Sequence, residues 1–243
     1  MGGRGFKYSK NCTMHLLLII VLPLQECDYL RALAKPRLQT STVVDVKTGK
    51  GIESKVRTSS GMFLSSEEKT YQVVQAIEKR ISVYSQVPIE NGELIQVLRY
   101  EKNQYYKPHH DYFSDTFNLK RGGQRVATML MYLSDNVEGG ETYFPMSSLQ
   151  TRVEMINRMQ FNNAPIDLTI AISAFFEAGS GKCSCGGKVV DGMSVKPIKG
   201  NAVLFWSMGL DGQSDPSSIH GGCEVQSGVK WSATKWMRQK ATF

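Results

Sequence analysis

The sequence predicts an α+β fold that is mainly β: a double-stranded β-helix (jelly-roll) core with buttressing N-terminal helices. Three observations lead there. From residue 94 onward, short strand-like segments follow one another across Gly-rich turns, the texture of an antiparallel double sheet. Before residue 94, two stretches carry apolar residues at helical intervals instead. The most aromatic segment, Tyr105-Tyr106-Lys107-Pro108-His109-His110-Asp111-Tyr112-Phe113, reads as a strand and holds a His-x-Asp. A chain of 243 residues has room for one large β-rich domain or two small ones.

The apolar run 16–22 follows Arg4, Lys7 and Lys10. It reads as a degenerate signal or anchor core, or as a buried first strand. The strand is preferred, because no small-x-small cleavage site follows. The run is far short of the ~20 residues that span a bilayer. Residues 25–34 have helical spacing and Pro36 ends them. Residues 40–46 are β-branched and read as a strand, residues 48–51 as a turn and 57–61 as a polar loop. Ser65 or Ser66 is predicted to cap a helix with Glu67 and Glu68 in its first turn. That helix carries Tyr71, Val74, Ile77, Ile81 and Tyr84 and packs on one face of a sheet. Strands are predicted over 94–100, 105–113, 125–133, 141–144, 189–196, 201–208, 220–225 and 230–237.

The domain organisation follows: an atypical N-terminal segment (1–25), a helical and β support region (26–92), and the β domain proper (93–239). Residues 147–177 interrupt that domain. They have no clear period and no turn chemistry, and their apolar half, 164–176, needs burial. A loop this long inside a compact domain is either functional or foreign to it.

Hydrophobic content of 41% and charge of 21% are ordinary for a globular protein. The net charge of +7 is spread along the chain without a Lys/Arg block, which argues against nucleic acid as a partner. The five cysteines are Cys12, Cys27, Cys183, Cys185 and Cys223. Cys183 and Cys185 are too close for the usual zinc spacing, and a bridge from either to Cys223 needs an oxidising compartment.

Only four histidines occur, His15, His109, His110 and His220. On a strand His109 and Asp111 share one face, and His110 turns to the other. An imidazole and a carboxylate so arranged are two-thirds of the facial triad that holds non-haem Fe(II). They equally fit an exposed strand, since His-x-Asp is a short motif. The scarcity of histidine leaves His220 or an acid as the third ligand. In a jelly roll, distant strands face one another, so His220 can meet His109; a turn histidine bonded to backbone is the alternative. Lys230, ten residues later, opens an aromatic strand. Buried there it requires an anion, which a carboxylate-bearing co-substrate would supply; at a solvated strand edge it requires nothing.

Together these residues are specific. His109-x-Asp111, His220 and Lys230 resemble the prolyl 4-hydroxylase family of Fe(II)/2-oxoglutarate dioxygenases, its plant members above all. So do Val97-Leu98-Arg99-Tyr100, Tyr106-Lys107-Pro108-His109-His110-Asp111-Tyr112-Phe113, Gly122-Gly123-Gln124-Arg125, Glu138-Gly139-Gly140-Glu141-Thr142-Tyr143-Phe144-Pro145 and the run from Lys230 to Met237. The resemblance implies that His109, Asp111 and His220 hold Fe(II), and that Lys230 binds the distal carboxylate of 2-oxoglutarate. It implies that Tyr100 and Thr142 add hydrogen bonds to that co-substrate. Arg125, Tyr106 and Trp236 would line a peptide groove, with Arg57 on a loop closing over the substrate. The implied reaction is 4-hydroxylation of peptidyl proline in proline-rich secretory or cell-wall proteins. It consumes O2, converts 2-oxoglutarate to succinate and CO2, and draws on L-ascorbate. Its compartment in the family is the endoplasmic reticulum, with membrane association through an anchor not evident in this chain.

Two stretches depart from the family pattern: residues 147–177, which read as a retained intron or a loop insertion, and the N-terminal segment. Two other functions remain open on the sequence. One is a catalytically impaired isoform that only binds proline-rich peptides. The other is a zinc-structural module using Cys183, Cys185, Cys223 and His220.

Overall fold

The computed structural model describes residues 16–20, 22–45, 47–147 and 182–242. Two antiparallel sheets form the core, and helices cover the outer face of the larger one. In chain order the strands are β1 (Leu16–Ile20), β2 (Gln39–Thr40), β3 (Thr42–Val44), β4 (Gly51–Glu53), β5 (Ser60–Phe63), β6 (Gln96–Tyr100), β7 (Tyr106–His109), β8 (Arg125–Tyr132), β9 (Glu138–Gly139) and β10 (Thr142–Phe144). After the undescribed stretch come β11 (Lys182–Cys185), β12 (Lys188–Asp191), β13 (Met193–Val195), β14 (Asn201–Trp206), β15 (His220–Gly222), β16 (Val225–Ser227) and β17 (Lys230–Arg238). The helices are α1 (Leu24–Ala34), α2 (Gln72–Ser85) and the single turn α3 (Thr116–Leu119).

The large sheet runs β1-β14-β8-β17-β6-β5-β2 and the small one β13-β10-β15-β7. This is the predicted jelly roll. The apolar run near the N-terminus supplies β1, which pairs antiparallel with β14 from Leu16↔Phe205 to Ile20↔Asn201. Strand alternation sorts the large sheet's side chains. On β8, Ala127, Met129 and Met131 join one buried cluster with Leu30 and Ala34 of α1 and Val74, Ile77 and Ile81 of α2. Tyr132, one residue on from Met131, joins a second cluster between the sheets with Phe144, Val195 and Phe205. The helices thus buttress the large sheet through the apolar positions the periodicity picked out. An ion pair adds to the α2 contact: Lys235 Nζ lies 2.5 Å from Glu78 Oε1, both side chains almost fully buried. Its charges are costly unless paired, so it disfavours other registers of α2 on the sheet.

Several boundaries differ from expectation, each for a local reason. The 105–113 strand stops at His109. Pro108 has no N–H to donate, and β7 is an edge strand, where that is tolerated. Beyond it Phe113 is held by a side chain: its N–H donates to Gln124 Oε1 at 2.6 Å, and Gln124 Nε2 donates to its carbonyl at 2.9 Å. The 189–196 strand is two, β12 and β13, broken at Gly192, whose φ is +121° and where a Cβ would stand 2.6 Å from the Phe144 carbonyl oxygen. Ser65 does cap, by a reciprocal pair with Glu68: Ser65 N–H donates to Glu68 Oε2 (2.7 Å) and Glu68 N–H to Ser65 Oγ (3.1 Å). What it caps is a 3-10 turn, Glu68–Thr70, and α2 starts only at Gln72. Residues 60–61, read as loop, begin β5. From residue 148, the 147–177 stretch lies outside the described residues, as do residues 1–15.

Candidate active site

His109 ends β7, His220 begins β15, and the two are paired across the ladder. Their ring centroids lie 4.5 Å apart. Asp111 is not on the strand; it reaches them because the chain bends after His109, not by the alternation expected. Its Oδ1 is 3.8 Å from His109 Nε2, and its Oδ2 is 3.6 Å from His220 Nε2. The ligand atoms of all three lie within 4.8 Å of one another.

Their orientation is held from outside. His109 Nδ1 is 2.9 Å from the Lys107 carbonyl oxygen, and His220 Nδ1 is 3.0 Å from that of Ser218. A carbonyl can only accept, so each Nδ1 carries the proton and each Nε2 lone pair faces the centre. Thr128 Oγ1 donates to Asp111 Oδ2 at 2.6 Å. Burial, then the neighbouring His220, pushes His109 far below the usual imidazole range. For Asp111, burial works to raise the pKa, but His220, His109 and Arg125 outweigh it and hold the carboxyl low. Two imidazoles whose Nε2 atoms face a carboxylate are the donor set a divalent cation requires, so these residues fit Fe(II).

The cavity they line continues along the large sheet. Lys230, Ser232, Thr234 and Trp236, at alternate positions of β17, all face it, as do Leu98 and Tyr100 of β6 and Leu130 of β8. Lys230 is 3% exposed, and among the described residues the carboxylate that acts on it, Glu141, does so without a hydrogen bond. Its Nζ sits 5.2 Å from the Tyr100 ring centroid and 5.8 Å from that of Tyr132. Burial lowers its pKa to about 8, against a smaller opposing effect of Glu141. Thr142 lines the cavity and accepts a 2.8 Å hydrogen bond from Tyr132.

At the mouth, Tyr106 stacks on His109 (3.7 Å between centroids), and the Arg57 guanidinium lies 4.8 Å from the Tyr106 ring. Arg57 is buried and donates to the Thr42 carbonyl (3.0 Å) and to Gln96 Oε1 (3.1 Å), so the loop expected to close over the site is tied to β3 and β6. The Trp236 indole Nε1 is buried with no hydrogen-bond partner. Arg125 is not among the residues lining the cavity. It forks onto Glu93 at 2.7 and 2.8 Å and lies 3.9 Å from the Trp236 ring centroid, so it supports the groove from behind. Sequence reasoning missed Thr128, Leu130 and Tyr132; alternation along β8 would have found them once one was placed. It also missed Phe205, whose ring lies 4.6 Å from that of His220. His110 is exposed and outside the triad, its Nδ1 3.3 Å from Ser214 Oγ. Cys185 bridges Cys223, which takes both out of the zinc set.

Comparison with known proteins agrees with this geometry. The family model for the 2OG-Fe(II) oxygenase superfamily matches residues 95–238. The chain is 68% identical over 218 residues to "Prolyl 4-hydroxylase 1" of Arabidopsis thaliana, covering 90% of this chain, and 49% identical over 213 residues to "Probable prolyl 4-hydroxylase 3" of the same plant, covering 88%. It spans 66% and 65% of the length of those relatives. Among solved structures, the fold is similar to the viral collagen prolyl hydroxylase of Paramecium bursaria Chlorella virus-1 in its 2OG complex. The TM-score is 0.58 at 24% identity, covering 91% of this chain and 94% of that one.

Proposed function

The chain belongs to the 2OG-Fe(II) oxygenase superfamily, and on that premise we propose that it hydroxylates C4 of peptidyl proline while converting 2-oxoglutarate and O2 to succinate and CO2. The observation that carries this reading is that the triad His109, Asp111 and His220 and the buried Lys230 line one cavity. Fe(II) held by those three side chains would supply the oxygen activation. Lys230 supplies the cation for the distal carboxylate of 2-oxoglutarate, and the absence of a paired carboxylate among the described residues supports that role. The Tyr100 and Thr142 hydroxyls are on hand for the same carboxylate. Leu98 and Leu130 add apolar lining to the same cavity, which strengthens charge pairing inside.

The substrate proposed is a proline-rich segment of a secretory or cell-wall protein. Tyr106, Trp236 and Arg57 offer aromatic and cationic faces, and a polyproline II segment docks on such faces with little entropy left to lose. The compartment proposed is the endoplasmic reticulum, where the Cys185–Cys223 bridge persists. Among the described residues no helix is long and apolar enough to cross a membrane. L-ascorbate would sustain turnover as a reductant. With all three ligands and the lysine present, a chain that only binds peptide is the weaker reading.

The test incubates the purified chain with Fe(II), 2-oxoglutarate, ascorbate and a poly-proline peptide. Succinate and 4-hydroxyproline should form in equal amounts, and His220→Ala should abolish both. Coupled turnover by that variant would overturn the triad assignment.

A further inference from the structure

Lys230 and Trp231 are neighbours on β17, so they face opposite sides of the sheet. Lys230 faces the triad cavity. Trp231 faces a second one, of about 600 Å3, lined by Asp28, Arg31 and Lys35 from the α1 region together with Arg99, Val229 and Trp231. That volume lies within the ~300–1,000 Å3 of ordinary ligand sites. Nothing in the proposed reaction uses it.

Its charge is one-sided. Three cations line it against one carboxylate, and Asp28 is already divided between Arg31 Nη1 at 3.3 Å and Lys199 Nζ at 2.7 Å. The Arg31 Nε is buried and has no hydrogen-bond partner among the described residues. The two guanidiniums flank the indole, Arg31 Cζ at 5.6 Å and Arg99 Cζ at 5.9 Å from the Trp231 centroid. Arg99 is placed by the ladder, directly opposite Trp231 on β6. Its remaining pair, with Glu101 at 2.6 Å, is solvent-exposed, and exposed pairs contribute only ~0–1 kcal/mol. Both guanidiniums can therefore exchange a surface partner for a ligand. Their planar forks match carboxylates two-point, while the indole offers a flat apolar floor.

We infer that this cavity is a second binding site, which takes the carboxylate side chains of an acidic peptide segment. Arg31 and Arg99 each clamp one carboxylate, Lys35 attracts a third from the rim, and the aliphatic stems of the peptide lie on Trp231. A peptide rather than a free diacid suits the volume and a lining of three cations, Arg31, Lys35 and Arg99, against one carboxylate that is already paired. The site is independent of iron and of the reaction proposed above, so its test does not involve turnover.

The experiment titrates the full chain with a hexaglutamate peptide by calorimetry and by tryptophan fluorescence, with succinate and inorganic phosphate as separate arms. One-to-one binding of the peptide is expected, weakening as salt rises. The double variant Arg31→Gln/Arg99→Gln should raise the dissociation constant at least tenfold, while its thermal unfolding matches the parent. Absence of peptide binding at low salt, or equal affinity in the variant, would overturn the site. Succinate or phosphate binding as tightly as the peptide would overturn the peptide assignment. Should the double variant unfold early, Lys35→Glu at the exposed rim provides the same comparison, with the same outcomes on either side.

Discussion

Thr128 and Lys230 carry the sharpest expectations of single residues. Thr128 Oγ1 donates a 2.6 Å hydrogen bond to Asp111 Oδ2, with both side chains buried. Thr128→Val keeps the shape and removes the donor. Partners of this kind typically contribute about 10–100-fold in metal affinity, so a divalent-metal titration should show a loss of that order, reversed in Thr128→Ser. Lys230 binds a carboxylate only as the ammonium, and in the ligand-free protein its pKa is lowered to about 8. The affinity for 2-oxoglutarate should hold steady below pH 8 and fall as pH rises beyond it. Calorimetry with Mn(II) replacing Fe(II), from pH 6.5 to 9.5, measures this, and a flat profile would remove Lys230 from the role. The same shift acts on stability with a definite sign. The folded pKa lies below the ordinary 10.5, so the unfolded chain holds the extra proton between the two values. The burial cost is therefore in force below about pH 8 and is relieved as pH climbs towards 10.5.

Among the elements, the β7–β15 ladder matters most, because it alone sets His220 opposite His109. Gly221 is what allows the approach. A Cβ there would stand 2.8 Å from the Tyr106 carbonyl oxygen and 3.0 Å from Pro108 N, backbone atoms that cannot swing aside. Gly221→Ala should force the two strands apart, at a cost of about 1–3 kcal/mol, and weaken metal binding with it. Gly222 is the control: its nearest contacts are at 3.8 Å, so Gly222→Ala should leave Tm within a few degrees. Equal Tm and equal metal affinity in the two variants would refute this account of Gly221. The ladder was half legible in the sequence. His-x-Asp and the aromatics announced a strand, though not that it stops at His109 just after Pro108. The bend that delivers Asp111 was not, since it depends on Gln124 capturing Phe113 from a different part of the chain.

For the whole molecule, both sheets of the sandwich are built from strands among the described residues. Strand β10 is paired by β13 on one side and β15 on the other, so the wall carrying Thr142 is closed by described residues alone. Excising 147–177 should leave the dissociation constants for metal and 2-oxoglutarate within twofold; a larger loss would make the stretch part of the site. What the sequence by itself determined is the inventory and the periodicity. The scarcity of histidine narrowed the third donor beside His109 and Asp111 to His220 or an acid, and the family resemblance implied His220. The strand over 230–237 follows from its residue pattern, and α1 and α2 from their apolar spacing. Only the tertiary structure decided which partners those side chains meet. Cys185 rather than Cys183 bridges Cys223, Arg125 turns to Glu93, and Arg99 and Arg31 converge on Trp231. Local sequence sets which way a side chain points along its own strand. What stands opposite depends on strand register and sheet order, which are settled by burial summed over the whole chain.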